Sequence, residues 1–101
     1  LLAGAAMGAN GTCMWLGNIA PAICRDIVAL GYDGRVGEAR PLQTMASRMD
    51  GLIGQHGVAG VKAALGLLGF EGIAPRHPRS ELGRGDVDQI RSVLAQAGLL
   101  G

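Results

Sequence analysis

The fold depends on one stretch, Gly8-Ala-Asn-Gly-Thr-Cys-Met-Trp-Leu-Gly-Asn-Ile-Ala-Pro21. The pair Asn10-Gly11 predicts a turn, because both residue types tolerate positive φ. Residues Thr12–Leu16 are uncharged and lack strict alternation, which is typical of a strand covered on both faces. The pair Gly17-Asn18 then breaks the strand, and Asn18 can cap a helix that Pro21 helps to start. The stretch predicts one βα unit of a parallel sheet, although no second strand is evident in the 101 residues.

Four helices are predicted after this strand. They span Pro21–Leu30, Arg35–Ile53, Val58–Leu68 and about Asp86–Ala97. Each carries apolar residues at helical spacing, which predicts one buried face. The predicted inward positions are Ile19, Ile23, Ile27 and Leu30 for the first helix; Val36, Ala39, Leu42, Met45, Met49 and Leu52 for the second; Val58, Val61, Leu65 and Leu68 for the third; Ile90, Val93, Leu94 and Ala97 for the fourth. Asp86-Val-Asp-Gln89 resembles a capping box, and Pro41 is expected to kink the second helix or delay its start.

Composition excludes several classes of protein. The net charge is +1 and no basic run occurs, so nothing points to nucleic-acid binding. The first 24 residues are uncharged and carry the helix-packing spacing Gly4-x-x-x-Gly8, but glycine, asparagine and proline interrupt any span of roughly 20 apolar residues. We therefore expect a cytoplasmic protein without a membrane segment. Cys13 and Cys24 form no disulfide framework, and we expect two reduced, buried thiols.

The ordered motifs resemble a known family. Gly8-Ala-Asn-Gly with Asn18-Ile-Ala-Pro21, then Gly37-Glu-Ala-Arg40, Val61-Lys-Ala-Ala-Leu-Gly-Leu-Leu-Gly69 and Ala95-Gln-Ala-Gly-Leu-Leu100, are similar in order and rough spacing to the dihydrodipicolinate synthase and N-acetylneuraminate lyase family. The resemblance implies the α/β class and the C-terminal portion of a (β/α)₈ TIM barrel. Residues 1–31 would form the last helix, strand and helix of the barrel, and residues 32–101 a C-terminal helical extension. The 101 residues themselves are then mainly α-helical.

The resemblance also implies a class I aldolase reaction, in which a lysine forms a Schiff base with pyruvate or a related 2-keto acid. In the family that lysine and an assisting tyrosine lie on earlier strands, so both would precede Leu1. This chain would contribute pocket wall at Cys13, Met14 and Trp15, and the bulk of Met14 and Trp15 implies a more apolar pocket edge. The alternative is that these three side chains only fill the barrel interior. No catalytic residue, metal ligand or cofactor is expected within the chain.

Three other candidates for chemistry are interpreted as structural. Lys62 is the one lysine; it flanks the predicted inward face of its helix, so its amine is expected to stay in water. His56 is expected to be a solvated loop residue without a partner to orient it as a base. Arg76-His-Pro-Arg79 is a basic cluster beside two glutamates, which favours local ion pairs over an anion site.

Two alternatives to the aldolase interpretation remain open. One is a non-catalytic helical module that docks on a partner through exposed apolar faces, and the other is a small membrane-associated helical protein. On the favoured interpretation the partners are the missing N-terminal portion of the barrel, a 2-keto acid substrate and further copies in a homodimer or homotetramer. Neither nucleic acid nor a membrane is expected as a partner.

Overall fold

A computed structural model describes residues 1–71, 75–76 and 82–100. These described residues contain five α-helices and one short 3₁₀ helix. The α-helices are α1 (Leu2–Ala6), α2 (Pro21–Tyr32), α3 (Val36–Gly54), α4 (Gly57–Leu67) and α5 (Arg84–Gln96), and the 3₁₀ helix is Trp15–Asn18. The expectation of a mainly helical chain is confirmed, and the four predicted helices correspond to α2 through α5. None of the described helices is long and apolar enough to cross a membrane.

The chain forms two compact units, Leu1–Ser47 and Arg48–Gly101. The division falls inside α3. In the first unit α2 contacts both α1 and the 3₁₀ helix, and in the second unit α4 contacts α5. The predicted boundary between residues 31 and 32 separates a barrel part from an extension, and it stays a prediction.

The predicted strand Thr12–Leu16 is wrong. Within the described residues there is no β-strand; residues 12–14 have no regular structure, and Trp15 and Leu16 begin the 3₁₀ helix. The backbone at Met14 is nonetheless extended, with φ −152° and ψ 146°. A strand exists only when its N–H and C=O groups pair with a neighbouring strand. The apolar stretch finds no such neighbour in the described part of the chain.

Close-packed small residues and two hydrogen bonds connect segments of the first unit that are distant in sequence. Gly31 of α2 lies against Ala5 of α1, and both residues are buried. The backbone N–H of Leu2 donates to Oε1 of Gln43 at 2.8 Å, and the Tyr32 hydroxyl donates to the carbonyl of Ala9 at 2.6 Å. These small residues let the two helices lie close together.

Helix α2 follows the predicted pattern. Pro21 is its first residue, where the missing N–H costs nothing. Ile19 and Ile27 are buried, while Ile23 and Leu30 are half-buried. The helix ends at Tyr32, and Gly34 follows with φ +72°, a conformation that favours glycine.

Helix α3 has a buried face that matches the predicted one in part. The fully or nearly fully buried residues are Ala39, Ala46, Met49 and Ile53. Ala39 and Met49 were predicted, whereas Val36 is 39% exposed, contrary to its predicted inward position. Pro41 lies inside the helix and is exposed.

The predicted inward face of α4 is wrong. Val58 is 43% exposed, and the other predicted positions are only half-buried. The buried residues are instead the small ones, Ala59, Gly60 and Ala64. The physical reason is close packing: a Cβ on Gly60 would lie 2.3 Å from the carbonyl oxygen of Ile53, so only glycine permits this approach.

Helix α5 buries Ile90, Val93 and Leu94, as predicted, whereas Ala97 is half-buried. Its start differs from the prediction. The helix begins at Arg84 after Gly83, with no side-chain cap, so Asp86 lies within the first turn and does not cap it. A carboxylate in the first turn still stabilises the helix through its dipole.

Candidate functional site

The predicted pocket-wall residues Cys13, Met14 and Trp15 lie in the first unit, on the connection from α1 to α2. Cys13 is exposed, whereas Met14 and Trp15 are half-buried. Leu16, which follows them, is completely buried and fixes the 3₁₀ helix to the unit. The backbone changes from extended at Met14 to 3₁₀-helical at Trp15.

Asn18 does not cap α2 as predicted. Its Nδ2 donates to the carbonyl oxygen of Trp15 at 3.2 Å, across the 3₁₀ helix. Ala20 occupies the N-cap position of α2 and makes no side-chain cap. Asn18 thus orders the turn that carries Trp15.

A cavity of about 220 Å³ lies in the same unit. Gly4, Ala5 and Ala9 contribute small residues to it, and Thr12, Val28 and Tyr32 contribute larger side chains. Cys13, Met14 and Trp15 are not among the described residues that line it, so their role as pocket wall stays a prediction. The Tyr32 hydroxyl donates to the Ala9 carbonyl, and Thr12 adds a second hydroxyl to a cavity whose other named residues are apolar.

The two cysteines differ, contrary to the expectation of two buried thiols. Cys24 is buried, as expected, and Cys13 is exposed. Burial raises the pKa of the Cys24 thiol above its ordinary value, and the positive charge of the chain N-terminus opposes this only in part. Cys24 is therefore an inert packing residue, whereas Cys13 is open to reagents in solution.

Lys62 and His56 lie in the second unit. Lys62 is half-buried on α4. His56 precedes α4 and is also half-buried; its Nε2 is out of contact with solvent and has no hydrogen-bond partner among the described residues. The expectation of a solvated histidine is therefore wrong, because His56 packs against Gly60, whose Cβ position would lie 2.9 Å from that of His56. No base–nucleophile pair follows from this arrangement.

Of the basic cluster, only Arg76 is described, and it is exposed; residues 77–79 lie outside the described residues. Over the described ranges, no group of three or more histidine, cysteine, aspartate or glutamate side chains could hold a metal ion.

The motif Gly37–Arg40 opens α3. Glu38 lies in the first turn of α3, and its Oε1 accepts a hydrogen bond from Nη2 of Arg35 at 2.7 Å. This hydrogen bond, with the charge of the Arg35 guanidinium, lowers the pKa of the Glu38 carboxyl. Ala39, in the middle of the motif, is completely buried. The motif is therefore a helix start with one residue facing the interior.

Comparison with known proteins gives sequence relatives. The chain is 34% identical over 96 residues to the 4-hydroxy-tetrahydrodipicolinate synthase of Gluconacetobacter diazotrophicus. It is 38% identical over 99 residues to the N-acetylneuraminate lyase of Rhizobium meliloti, and 32% identical over 97 residues to the 4-hydroxy-tetrahydrodipicolinate synthase of Corynebacterium aurimucosum. These matches cover 93–94% of this chain.

The chain spans about a third of the length of these relatives, 32% in each case. No protein-family model matches the chain. No solved structure matches it either. The chain is therefore a sequence relative of the dihydrodipicolinate synthase and N-acetylneuraminate lyase family over nearly its whole length.

Proposed function

We propose that this chain is the C-terminal part of a cytoplasmic, Schiff-base-forming lyase or synthase. The complete enzyme would act on pyruvate or a related 2-keto acid and make or break a carbon–carbon bond. The observation that carries the proposal is the similarity over 93–94% of the chain to proteins named as this synthase and this lyase. The imine formed between a lysine and the keto group would serve as the electron sink of the reaction.

In this proposal the chain contributes packing and pocket wall. The segment Gly11–Cys13 makes no backbone hydrogen bond to the rest of the described chain, and Met14 continues it in an extended conformation. Unpaired backbone groups of this kind are the template for strand pairing. In the complete barrel this segment would pair with neighbouring strands, and Cys13, Met14 and Trp15 would then border the substrate pocket at its carboxyl end.

The nucleophile would come from elsewhere in the polypeptide. Lys62 is the one lysine of the sequence, and it lies on α4 in the second unit. The resemblance places the Schiff-base lysine of the family on an earlier barrel strand, so a lysine outside these 101 residues would carry the Schiff base.

Two exposed apolar side chains support the proposal that this chain has partner chains. Met7 is 88% exposed and Phe70 is 59% exposed. Large apolar side chains in water favour association or coverage by further chain. We propose that the remaining part of the barrel and other copies, in a homodimer or homotetramer, cover these surfaces.

A chimera tests the proposal. The matched third of the Rhizobium meliloti N-acetylneuraminate lyase is replaced by this chain, and the product is incubated with pyruvate and borohydride. We expect a stoichiometric reduced adduct on a lysine of the lyase portion, as in the intact lyase used as positive control. The lyase portion without this chain serves as the negative control and should remain unlabelled.

A chimera that unfolds cooperatively by circular dichroism but carries no adduct would overturn the proposal. That result would favour the alternative, a non-catalytic helical interaction module, since such a module has no reason to complete an aldolase pocket.

A further inference from the structure

A groove of about 260 Å³ lies in the second unit, between α3 and α5. Helix α3 contributes Arg48 and Leu52, one turn apart. Helix α5 contributes Gln89, Ser92, Val93 and Gln96. These spacings of three and four residues place the α5 side chains on one face of the helix.

The groove has an apolar floor and a polar rim. Val93 is buried and Leu52 is half-buried, whereas Arg48, Gln89 and Ser92 are exposed. Nη1 of Arg48 donates to Oε1 of Gln96 at 3.3 Å, which holds the guanidinium beside the groove. This hydrogen bond is long and its acceptor, the Gln96 amide oxygen, is neutral. A hydrogen bond from Arg48 to a carboxylate would be stronger and could replace it.

The charge of Arg48 is not neutralised within the described residues. Arg25 pairs with Asp26 and Arg35 pairs with Glu38, but Arg48 has no carboxylate partner in the part of the chain that is described. None of the groove-lining residues just named is acidic. The Gln89 amide and the Ser92 hydroxyl make no hydrogen bond to described residues, and both can donate.

We propose that this groove binds a small organic carboxylate. The Arg48 guanidinium would take the carboxylate as a fork, because its parallel N–H groups match the two oxygens. Gln89 and Ser92 would supply further donors, and a short apolar tail would lie over Leu52 and Val93. The volume is below the roughly 300–1,000 Å³ of drug-sized pockets, which limits the ligand to a few carbon atoms. The groove belongs to the second unit and is separate in sequence from Cys13, Met14 and Trp15.

The test uses the 101-residue chain and titrates it with sodium propionate, followed by ¹H–¹⁵N NMR of backbone amides, glutamine side-chain amides and arginine Nε–Hε groups. Saturable shifts are expected at Arg48, Gln89, Ser92 and Gln96. Propionamide, which has the same shape without the charge, should cause no saturable shift. Sodium chloride at matched ionic strength controls for screening, and sodium phosphate tests whether a different anion is preferred.

Two variants complete the test. Arg48→Gln should weaken propionate binding at least about ten-fold, since it removes a charge-assisted hydrogen bond. Arg91→Gln is the matched control, because Arg91 is an exposed arginine of α5 outside the groove, and it should bind propionate like the parent chain. The proposal would be overturned if both variants bound propionate equally weakly or if phosphate bound more tightly than propionate. It would also be overturned if chloride caused the same shifts or if the shifts did not saturate.

Discussion

Gly31 and Ala5 lie at the contact between α2 and α1, so close that a Cβ on Gly31 would be 2.7 Å from the Cβ of Ala5. Neither atom belongs to a flexible side-chain end, so the two helix backbones themselves would have to separate. The same added atom would lie 3.3 Å from Cδ1 of Leu2. Helices α1 and α2 therefore approach as closely as glycine allows.

We expect Gly31→Ala to lower the free energy of unfolding by up to about 2 kcal/mol. Overpacking costs about 1–3 kcal/mol, and the roughly 1 kcal/mol that alanine gains over glycine in a helix offsets part of this cost. Urea unfolding followed by far-UV circular dichroism measures the difference. Gly51→Ala in α3 is the control; apart from the adjacent backbone of its own helix, no described atom lies within 4 Å of its added Cβ, so the propensity gain should stand alone. A Gly31→Ala variant as stable as Gly51→Ala would show that α1 does not pack as described.

Gly60→Ala is expected to lower the free energy of unfolding by about 3 kcal/mol in total, at the upper end of overpacking costs. This loss is larger than the one expected for Gly31→Ala. The added Cβ would meet the Ile53 carbonyl oxygen at 2.3 Å and the His56 Cβ at 2.9 Å. A backbone carbonyl cannot rotate away, so the turn between α3 and α4 must open. The same urea experiment measures the loss, again against Gly51→Ala. An unchanged midpoint would mean that α4 is not held against the end of α3.

The helices could be predicted from the sequence because their apolar residues repeat at helical spacing. The predicted ends of α2 and α3 lie within two residues of the observed ones, Tyr32 and Gly54. The strand could not be predicted in this way. The apolar run Thr12–Leu16 describes what a strand would bury, but its existence depends on backbone partners that are absent from the described residues.

The inward face of α4 shows a second limit. Periodicity selects the largest apolar residues, such as Val58 and Leu65, as the core face. The structure instead buries Gly60 and Ala64, because small residues allow a closer approach of backbones and thus more contact. Which face of α4 is buried depends on the neighbouring helix, and the sequence of α4 alone does not contain that information.

The candidate site was predictable only in outline. The resemblance to the family predicts Cys13, Met14 and Trp15 as pocket wall. The cavity in the same unit is lined by other residues, among them Thr12 and Tyr32. These two residues are far apart in sequence, and only the packing of α2 brings them together. The groove at Arg48 could not be predicted from a local motif either, because its lining combines residues of α3 and α5.

The two thiols should react at different rates. Iodoacetamide is expected to label Cys13 promptly, because this thiol is exposed, and to label Cys24 only slowly. Cys24 is 8% exposed, and burial raises its pKa, so less reactive thiolate is present at neutral pH. Intact mass and peptide mapping over time measure both rates. Cys13→Ser should abolish the fast phase, and labelling in urea should make the rates equal. Equal rates in the folded chain would contradict the burial of Cys24.

The Arg35–Glu38 pair predicts a small acid sensitivity. Arg35 lowers the pKa of Glu38 in the folded chain, so the pair stabilises fully above the unfolded value of about 4.3 and is lost as pH falls through the folded pKa. Glu38→Gln should therefore differ from the parent at neutral pH and converge with it as the pH falls below the folded pKa of Glu38. Both side chains are more than half exposed, so added salt should reduce the effect. Asp50→Asn, at an exposed α3 carboxylate without an ion pair to described residues, should show less convergence. A Glu38→Gln difference that persists at low pH would exclude the pair as its cause.

The chain alone is expected to form no stoichiometric Schiff base at Lys62. An ordinary lysine amine is protonated at neutral pH and is a poor nucleophile, and it becomes reactive only through desolvation or a neighbouring cation. Lys62 is half-buried on a helix whose most deeply buried face is formed by Ala59, Gly60 and Ala64. Incubation with pyruvate and borohydride, followed by intact mass, should leave the chain unmodified, and Lys62→Arg should give the same spectrum. Trace labelling shared with the N-terminal amine would be ordinary amine chemistry. A stoichiometric adduct that disappears in Lys62→Arg would contradict the prediction, because the nucleophile would then lie within these 101 residues and the chain would be an enzyme in its own right.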